Sequence, residues 1–282
     1  MINQTIIWEL RLPRLIASLL VGSSLGMSGA LLQGMLRNGL ASPYLLGISA
    51  GSGLVIVFFI SFGLTLSLIP LAAWIGAILT TLIVFVLSKD GNKIVVERLV
   101  LGGVAVSSLF GAIQATLLLK TEDGRIQAAL NWLIGSLNAR GWQEIKFAAL
   151  PILVALFFGL FLYRQLNLLS LGDELSVSLG TSLFRSRCLI GAIATLLAAC
   201  AVSIGGLIGF IGLIVPHFSR LLIGNDFKYI LPFSALSGAL TLSSADLISR
   251  LGPIEIPVGI VTALLGAPVF MIILYNRTNY KK

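Results

Sequence analysis

The chain has 282 residues, 57% of them hydrophobic and only 11% charged, with a mean hydropathy of +1.03. A soluble domain carries roughly 25% charged residues, so this composition excludes an ordinary cytosolic enzyme, a disordered protein and a disulfide scaffold. What remains is a multi-pass membrane protein, and its net charge of +8 is scattered at the ends of apolar runs, as topology requires, with no nucleic-acid partner implied.

A helix needs about 20 apolar residues to cross roughly 30 Å of hydrocarbon. On that ruler the sequence predicts nine spans in chain order: Leu12–Leu36, Tyr44–Phe62, Leu66–Leu87, Leu99–Leu119, Phe147–Tyr163, Cys188–Gly206, Leu207–Ile223, Ile230–Ser249 and Ile256–Tyr275. Pro216 and four nearby glycines interrupt the seventh, which is expected to be a short or broken helix buried in protein. The first run starts near Leu12 and exceeds a signal h-region, so no cleavable signal peptide is expected. The links are short, which makes residues 1–282 a single transmembrane domain.

Alternate loops place twelve basic residues on one side: Arg37, Lys89, Lys93, Arg98, Arg164, Arg185, Arg187, Arg220, Lys228, Arg277, Lys281 and Lys282. The other side has seven: Arg11, Arg14, Lys120, Arg125, Arg140, Lys146 and Arg250. The positive-inside rule puts the first set in the cytoplasm, so nine spans leave the N-terminus outside and the C-terminus inside.

Ionisable groups within the spans are few. Asp246 is expected to cap or pair within the bundle, Glu255 precedes the ninth span, and His217 reads as a cap on backbone carbonyls freed by Pro216, set against a substrate-ligand role. Cys188 and Cys200 read as small buried hydrophobes. No His, Cys and carboxylate set has metal-ligand spacing, and no Ser-His-Asp set is visible, so neither a metal, a cofactor nor an enzyme is expected. No Walker A signature is present, so any ATP-driven engine must be a separate subunit. Gly22, Gly26 and Gly29 with Ser18 and Ser28 read as one close-packing stripe, and Gly205, Gly209 and Gly212 as another.

Several ordered motifs resemble one family. They are Arg11-Leu-Pro-Arg14, Ser28-Gly-Ala-Leu-Leu-Gln33, Leu45-Leu-Gly-Ile-Ser-Ala-Gly51, Leu171-Gly-Asp-Glu174, Gly209-Phe-Ile-Gly-Leu-Ile-Val-Pro-His217, Ser244-Ala-Asp-Leu247, Pro257-Val-Gly-Ile-Val-Thr-Ala263 and Gly266-Ala-Pro268. Together they make the chain similar to the FecCD-type permeases, the membrane subunits of ABC importers for ferric siderophores, haem and cobalamin. Members usually have ten spans with a further helix before Arg-Leu-Pro-Arg; here only ten residues precede Arg11, so the expectation is an all-α fold with about nine.

The resemblance implies a multi-pass subunit of the bacterial cytoplasmic membrane that imports an iron chelate. Its implied partners are an ATP-binding subunit, an extracytoplasmic substrate-binding protein and a second permease copy or paralogue. The runner-up class is an ion-gradient-driven secondary carrier of a bulky solute. From the residues alone, the loop 168–183 reads equally as a solvated amphipathic segment or a docking element: Leu171 is apolar, Gly172 permits a turn, Asp173 can cap, and Glu174–Gly180 reads as a short helix ended by glycine. The resemblance makes it the cytoplasmic coupling loop, with Leu171, Gly172, Asp173, Glu174, Ser178, Leu179 and Gly180 facing the ATPase. Arg11, Arg14 and Arg250 read by composition as lipid-anchoring side chains; the resemblance makes them the docking points for carboxylates of the binding protein.

Overall fold

The computed structural model describes residues 6–64, 68–91 and 93–279. Leu66, at the start of the third expected span, and the terminal Lys281 and Lys282 lie outside the described residues. Among the described residues the regular structure is all helical apart from one short hairpin. In order, α1 (Leu12–Met35), α2 (Ile48–Ser61) and α3 (Ile69–Leu87) lead to the antiparallel strands β1 (Lys89–Asp90) and β2 (Lys93–Ile94). Then come α4 (Val96–Leu119), α5 (Asp123–Ile134), α6 (Trp142–Leu160), α7 (Tyr163–Ser170) and α8 (Asp173–Ser178). The chain closes with α9 (Leu183–Gly205), α10 (Ile211–Ile223), α11 (Phe227–Ser249) and α12 (Val258–Asn279).

Six of these, counting a π-helical turn at Ile6–Arg11 with α1, are long and apolar enough to cross a membrane: α1, α3, α4, α6, α9 and α11. Three shorter apolar helices, Ile48–Ser61, Ile211–Ile223 and Val258–Ile272, supply the rest of the nine expected spans.

The centre of the bundle is α1. Every residue from Ser24 to Met35 is buried, the all-round burial of a core helix, and α1 packs most extensively on α11 and α9. Glycine decides how close those partners come. A Cβ on Gly22 would lie 2.3 Å from the Gly238 carbonyl oxygen, and one on Gly26 would lie 2.1 Å from that of Ser234, both in α11. At Gly29 the same atom would meet the Gly212 carbonyl of α10 at 1.8 Å. Hydroxyls complete the contact: Ser18 Oγ meets Ser243 Oγ at 2.9 Å, and Ser28 Oγ donates to the Ala194 carbonyl of α9 at 2.7 Å.

The second expected glycine stripe does not exist. Gly205 ends α9, where an added Cβ would lie 2.8 Å from Ile208 Cδ1, Gly209 lies in the irregular segment 206–210 with open space around it, and Gly212 packs on Leu25 and Pro43, so the three share no helix face. The expected seventh span, Leu207–Ile223, is likewise shorter, because helix begins only at Ile211. Phe210 explains the late start: its φ of 66° is left-handed, a conformation costly for a bulky side chain.

A matching break precedes α2. Pro43–Leu46 form a 3-10 turn, Gly47 takes φ 74°, and α2 starts there. The two breaks touch inside the layer. A Cβ on Gly212 would lie 2.9 Å from Pro43 Cδ, and Tyr44 Oη donates to the Ile208 carbonyl. Backbone freed by irregular geometry is thus satisfied within protein, as a bilayer demands.

Gly26→Ala should lower stability by about 2–3 kcal/mol, since backbone cannot retreat as a side chain can. Gly111→Ala, where nothing lies within 4 Å of the added Cβ, should change it by no more than about 1 kcal/mol, the helix-propensity difference. Thermal unfolding in detergent compares the two.

Candidate functional site: two charged ends and an apolar groove

The end of the bundle where α1 begins holds a closed charge network. Asp246, in the last turn of α11, is 1% exposed. Its Oδ1 accepts from Arg14 Nε at 3.0 Å and Nη2 at 2.8 Å, while its Oδ2 accepts from Arg250 Nη2 at 2.6 Å. Arg250 Nε also donates to the Asp246 carbonyl at 3.1 Å. The remaining arm of Arg14 pairs with Glu255. Two guanidinium groups and two carboxylates therefore balance, in the bidentate geometry that makes buried pairs tolerable.

This arrangement separates the three arginines singled out in the sequence. Arg11 is exposed. Arg250 keeps 34% of its side chain accessible, whereas Arg14 retains 11% and spends its donors on Asp246 and Glu255. Beside them, Trp142 Nε1 donates to the Trp8 carbonyl at 2.9 Å, tying the start of α6 to the π-helical turn. In the adjoining loop the Arg140 guanidinium stacks 4.3 Å from the Trp132 ring centroid. Burial pulls the Arg140 pKa below its usual value, and Glu144 opposes the shift.

The opposite end carries the loop between α7 and α9. Gly172 has φ 108° and Gly180 φ 82°, left-handed values that suit glycine and bracket α8. The Thr181 N–H bonds the Ser176 carbonyl and the Gly180 N–H that of Val177, both at 2.9 Å, closing the helix as the sequence led one to expect. One expectation is corrected: Asp173 does not cap α8, which has no side-chain cap. Its carboxylate instead accepts from Arg187 Nη2 at 2.8 and 3.0 Å, because a buried guanidinium is a stronger partner than a half-exposed helix end. In the sequence Arg187 is one basic residue among twelve on its side, and nothing in its spacing marks it.

Around α8 the surface is unusual. Leu171, Leu175, Val177 and Leu179 are exposed next to the exposed Glu174 and Ser178. Leu171, Glu174 and Leu175 border a groove of about 700 Å³ whose other walls are Met35–Arg37 and Ile94–Glu97. At the same end, Gln33 bonds the Ala41 and Leu213 carbonyls at 3.2 and 3.0 Å and accepts from Arg220. His217 lines a cavity with Gln33, Arg37 and Arg220. Asp226 caps α11 through the Lys228 N–H at 2.9 Å and accepts from Asn167 of α7 at 2.7 Å. The Asn167 bond, then the cap, holds its pKa below the usual carboxylate value.

Between the ends, α10, α11 and α12 enclose an apolar groove of about 410 Å³, with Phe210, Ile214, Phe218, Ile248 and Leu265 on its walls and Thr241, Ser244 and Thr262 as its polar points. Among the described residues, no group of three or more His, Cys, Asp or Glu can hold a metal ion.

Asp246→Ala leaves two arginines facing one another with only Glu255 to share. It should destabilise the protein by about 3–5 kcal/mol, the usual cost of removing one partner of a buried pair, read as a lower unfolding midpoint in detergent. Glu255→Ala, at a side chain 34% exposed, should cost about 1 kcal/mol or less.

Comparison with known proteins fits this architecture. The sequence pattern of the FecCD transport family matches residues 1–276. The chain is 40% identical over 278 residues to the cobalamin import system permease protein of Halobacterium salinarum, covering 97% of this chain and 74% of that protein. It is 39% identical to the hemin transport system permease protein of Yersinia pestis, covering 98% and 85%. Among solved structures, one described as an inward-facing metal-chelate type ABC transporter superposes with a TM-score of 0.92 at 34% identity, covering 98% of this chain and 89% of that one. With the family pattern spanning nearly its whole length, the chain belongs to the FecCD transport family.

Proposed function

We propose that the chain is the membrane permease subunit of an ATP-driven importer that moves an iron chelate into the cell, energised by a separate ATPase. The observation that carries this reading is α8: a short helix bracketed by two left-handed glycines, anchored by a buried arginine, with four exposed apolar side chains. Exposed apolar groups clustered around a charge mark a protein interface. Leu171, Gly172, Asp173, Glu174, Ser178, Leu179 and Gly180 form that coupling surface. Its first residues line one groove with Arg37 and Arg187, on the end that carries the larger share of basic residues, so this end is cytoplasmic.

The opposite end then faces outward and receives the substrate-binding protein. Arg11 and Arg250 present accessible guanidinium groups there, with Arg14 holding the platform beneath them. The apolar groove of α10–α12 suits a path for a bulky chelate shared with a second permease copy or paralogue. Hemin and metal chelate are named for two of the similar proteins, which supports an iron chelate as the solute, with cobalamin as the alternative named for a third. Localisation in the bacterial cytoplasmic membrane follows from the same reading.

The test is reconstitution with the ATPase and binding protein in vesicles, measuring uptake of labelled ferric chelate, haem and cobalamin. ATP-dependent uptake of an iron chelate supports the proposal; uptake driven by an ion gradient without the ATPase overturns it in favour of a secondary carrier.

Two variants probe the surfaces. Glu174→Lys reverses a charge on the coupling helix, and Gly180→Val forces a β-branched residue into φ 82°. Both should insert normally and lose at least about tenfold in uptake, the factor set by losing roughly 1.4 kcal/mol of interface. Full uptake in both would remove this loop from coupling.

At the other end, Arg11→Glu with Arg250→Glu should raise the binding-protein concentration for half-maximal uptake about tenfold or more, since rim charges govern encounter. High salt should weaken wild-type docking more than that of the variant. Unchanged docking would leave these arginines as lipid anchors.

A further inference from the structure

The groove beneath α8 has a floor that the docking surface does not explain. Arg187 lies in the first turns of α9, is 5% exposed, and bonds in two directions at once. Its Nη2 holds both carboxylate oxygens of Asp173, the first residue of α8. Its Nη1 donates to the Ile94 carbonyl at 2.9 Å, on the last residue of β2. Its Nε is buried without a hydrogen-bond partner among the described residues, so the guanidinium is not placed to satisfy itself. It is placed to span.

Among the described residues no hydrogen bond runs directly from the hairpin to α8; the guanidinium joins them. The hairpin is itself compact. Lys89 pairs with Ile94 and Asp90 with Lys93, Val95 N–H returns to the Ser88 carbonyl at 3.0 Å, and Ile94 is buried. A pull on Ile94 therefore moves the hairpin as a unit. Asp173 is equally committed, for Gly172 fixes the turn before it and Ser176 Oγ bonds the Leu168 carbonyl behind it at 2.7 Å. A planar guanidinium holds two segments at once through donors in a fixed fork, a geometry that an ammonium lacks.

We propose that Arg187 is a positioning residue that makes the β1–β2 hairpin follow α8, passing ATPase-driven motion of the coupling helix into the cytoplasmic end of α3 and α4. This rests on the coupling reading of α8, and the experiment separates the two. The variant Arg187→Met keeps side-chain length and removes both bonds; Asp173→Asn, at a side chain 44% exposed, removes the charge and one of the two acceptor oxygens, weakening the link where folding is least at risk. Each is assembled with the ATPase and binding protein in vesicles, and solute imported per ATP hydrolysed is measured. Hairpin movement is read separately as the thiol-labelling rate of Asp90→Cys, in a chain carrying Cys188→Ser and Cys200→Ser, with and without a non-hydrolysable ATP analogue.

With Arg187 intact, nucleotide should change the labelling rate severalfold; with Arg187→Met it should not. Both link variants should import at least about tenfold less solute per ATP, the factor that losing a charge-assisted hydrogen bond sets. The inference is overturned if the nucleotide-dependent labelling survives Arg187→Met, if it is absent with Arg187 intact, or if both variants retain the wild-type ratio. If Arg187→Met does not insert, Asp173→Asn carries the same expectation for both measurements. Loss of uptake in Glu174→Lys with wild-type behaviour in the link variants sinks the link alone; wild-type uptake in Glu174→Lys sinks the coupling reading beneath it.

Discussion

The architecture depends on how closely α1 approaches its neighbours. In a bilayer, apolar side chains gain little by leaving lipid for protein, so helices associate through packing and short polar contacts. At Gly22, Gly26 and Gly29 the backbone of α1 lies against carbonyls of α11 and α10 with no room for a methyl group. This closeness brings Ser18 to Ser243 and Ser28 to Ala194. It also sets Arg14 against Asp246 and Gln33 against Arg220 at opposite ends of one rod. With 24 residues, α1 is about 36 Å long, so a single buried helix fixes the spacing of the outer charge network and the inner polar cluster.

Much of this was readable in the sequence, and the parts that were not have a common cause. Hydropathy located the apolar helices because crossing hydrocarbon demands length, a property of contiguous residues. The stripe at Gly22, Gly26 and Gly29 was legible because helical periodicity places those positions on neighbouring turns. The supposed stripe at Gly205, Gly209 and Gly212 failed because that periodicity assumes a continuous helix, and Phe210 breaks it. A left-handed phenylalanine leaves no compositional trace.

The site residues divide in the same way. Gly172 and Gly180 announced a bracketed helix, since turn chemistry is local. Asp173 looks like a cap in the sequence because its true partner, Arg187, is 14 residues away and on another helix. Asp246 was expected to find a partner within the bundle, and it has two. What no one-dimensional reading supplied is that one of those partners, Arg14, is held too deeply to behave like Arg11.

The paired breaks before α2 and α10 have an electrostatic consequence. The segments that lead into the two helices meet at Pro43, Tyr44, Ile208 and Gly212. A helix N-terminus carries roughly half a positive charge, and no carboxylate is among the residues that bring the two leading segments together. A bare cation entering there meets an unfavourable potential from fixed dipoles, the kind of barrier that excludes protons and metal ions from water-conducting pores.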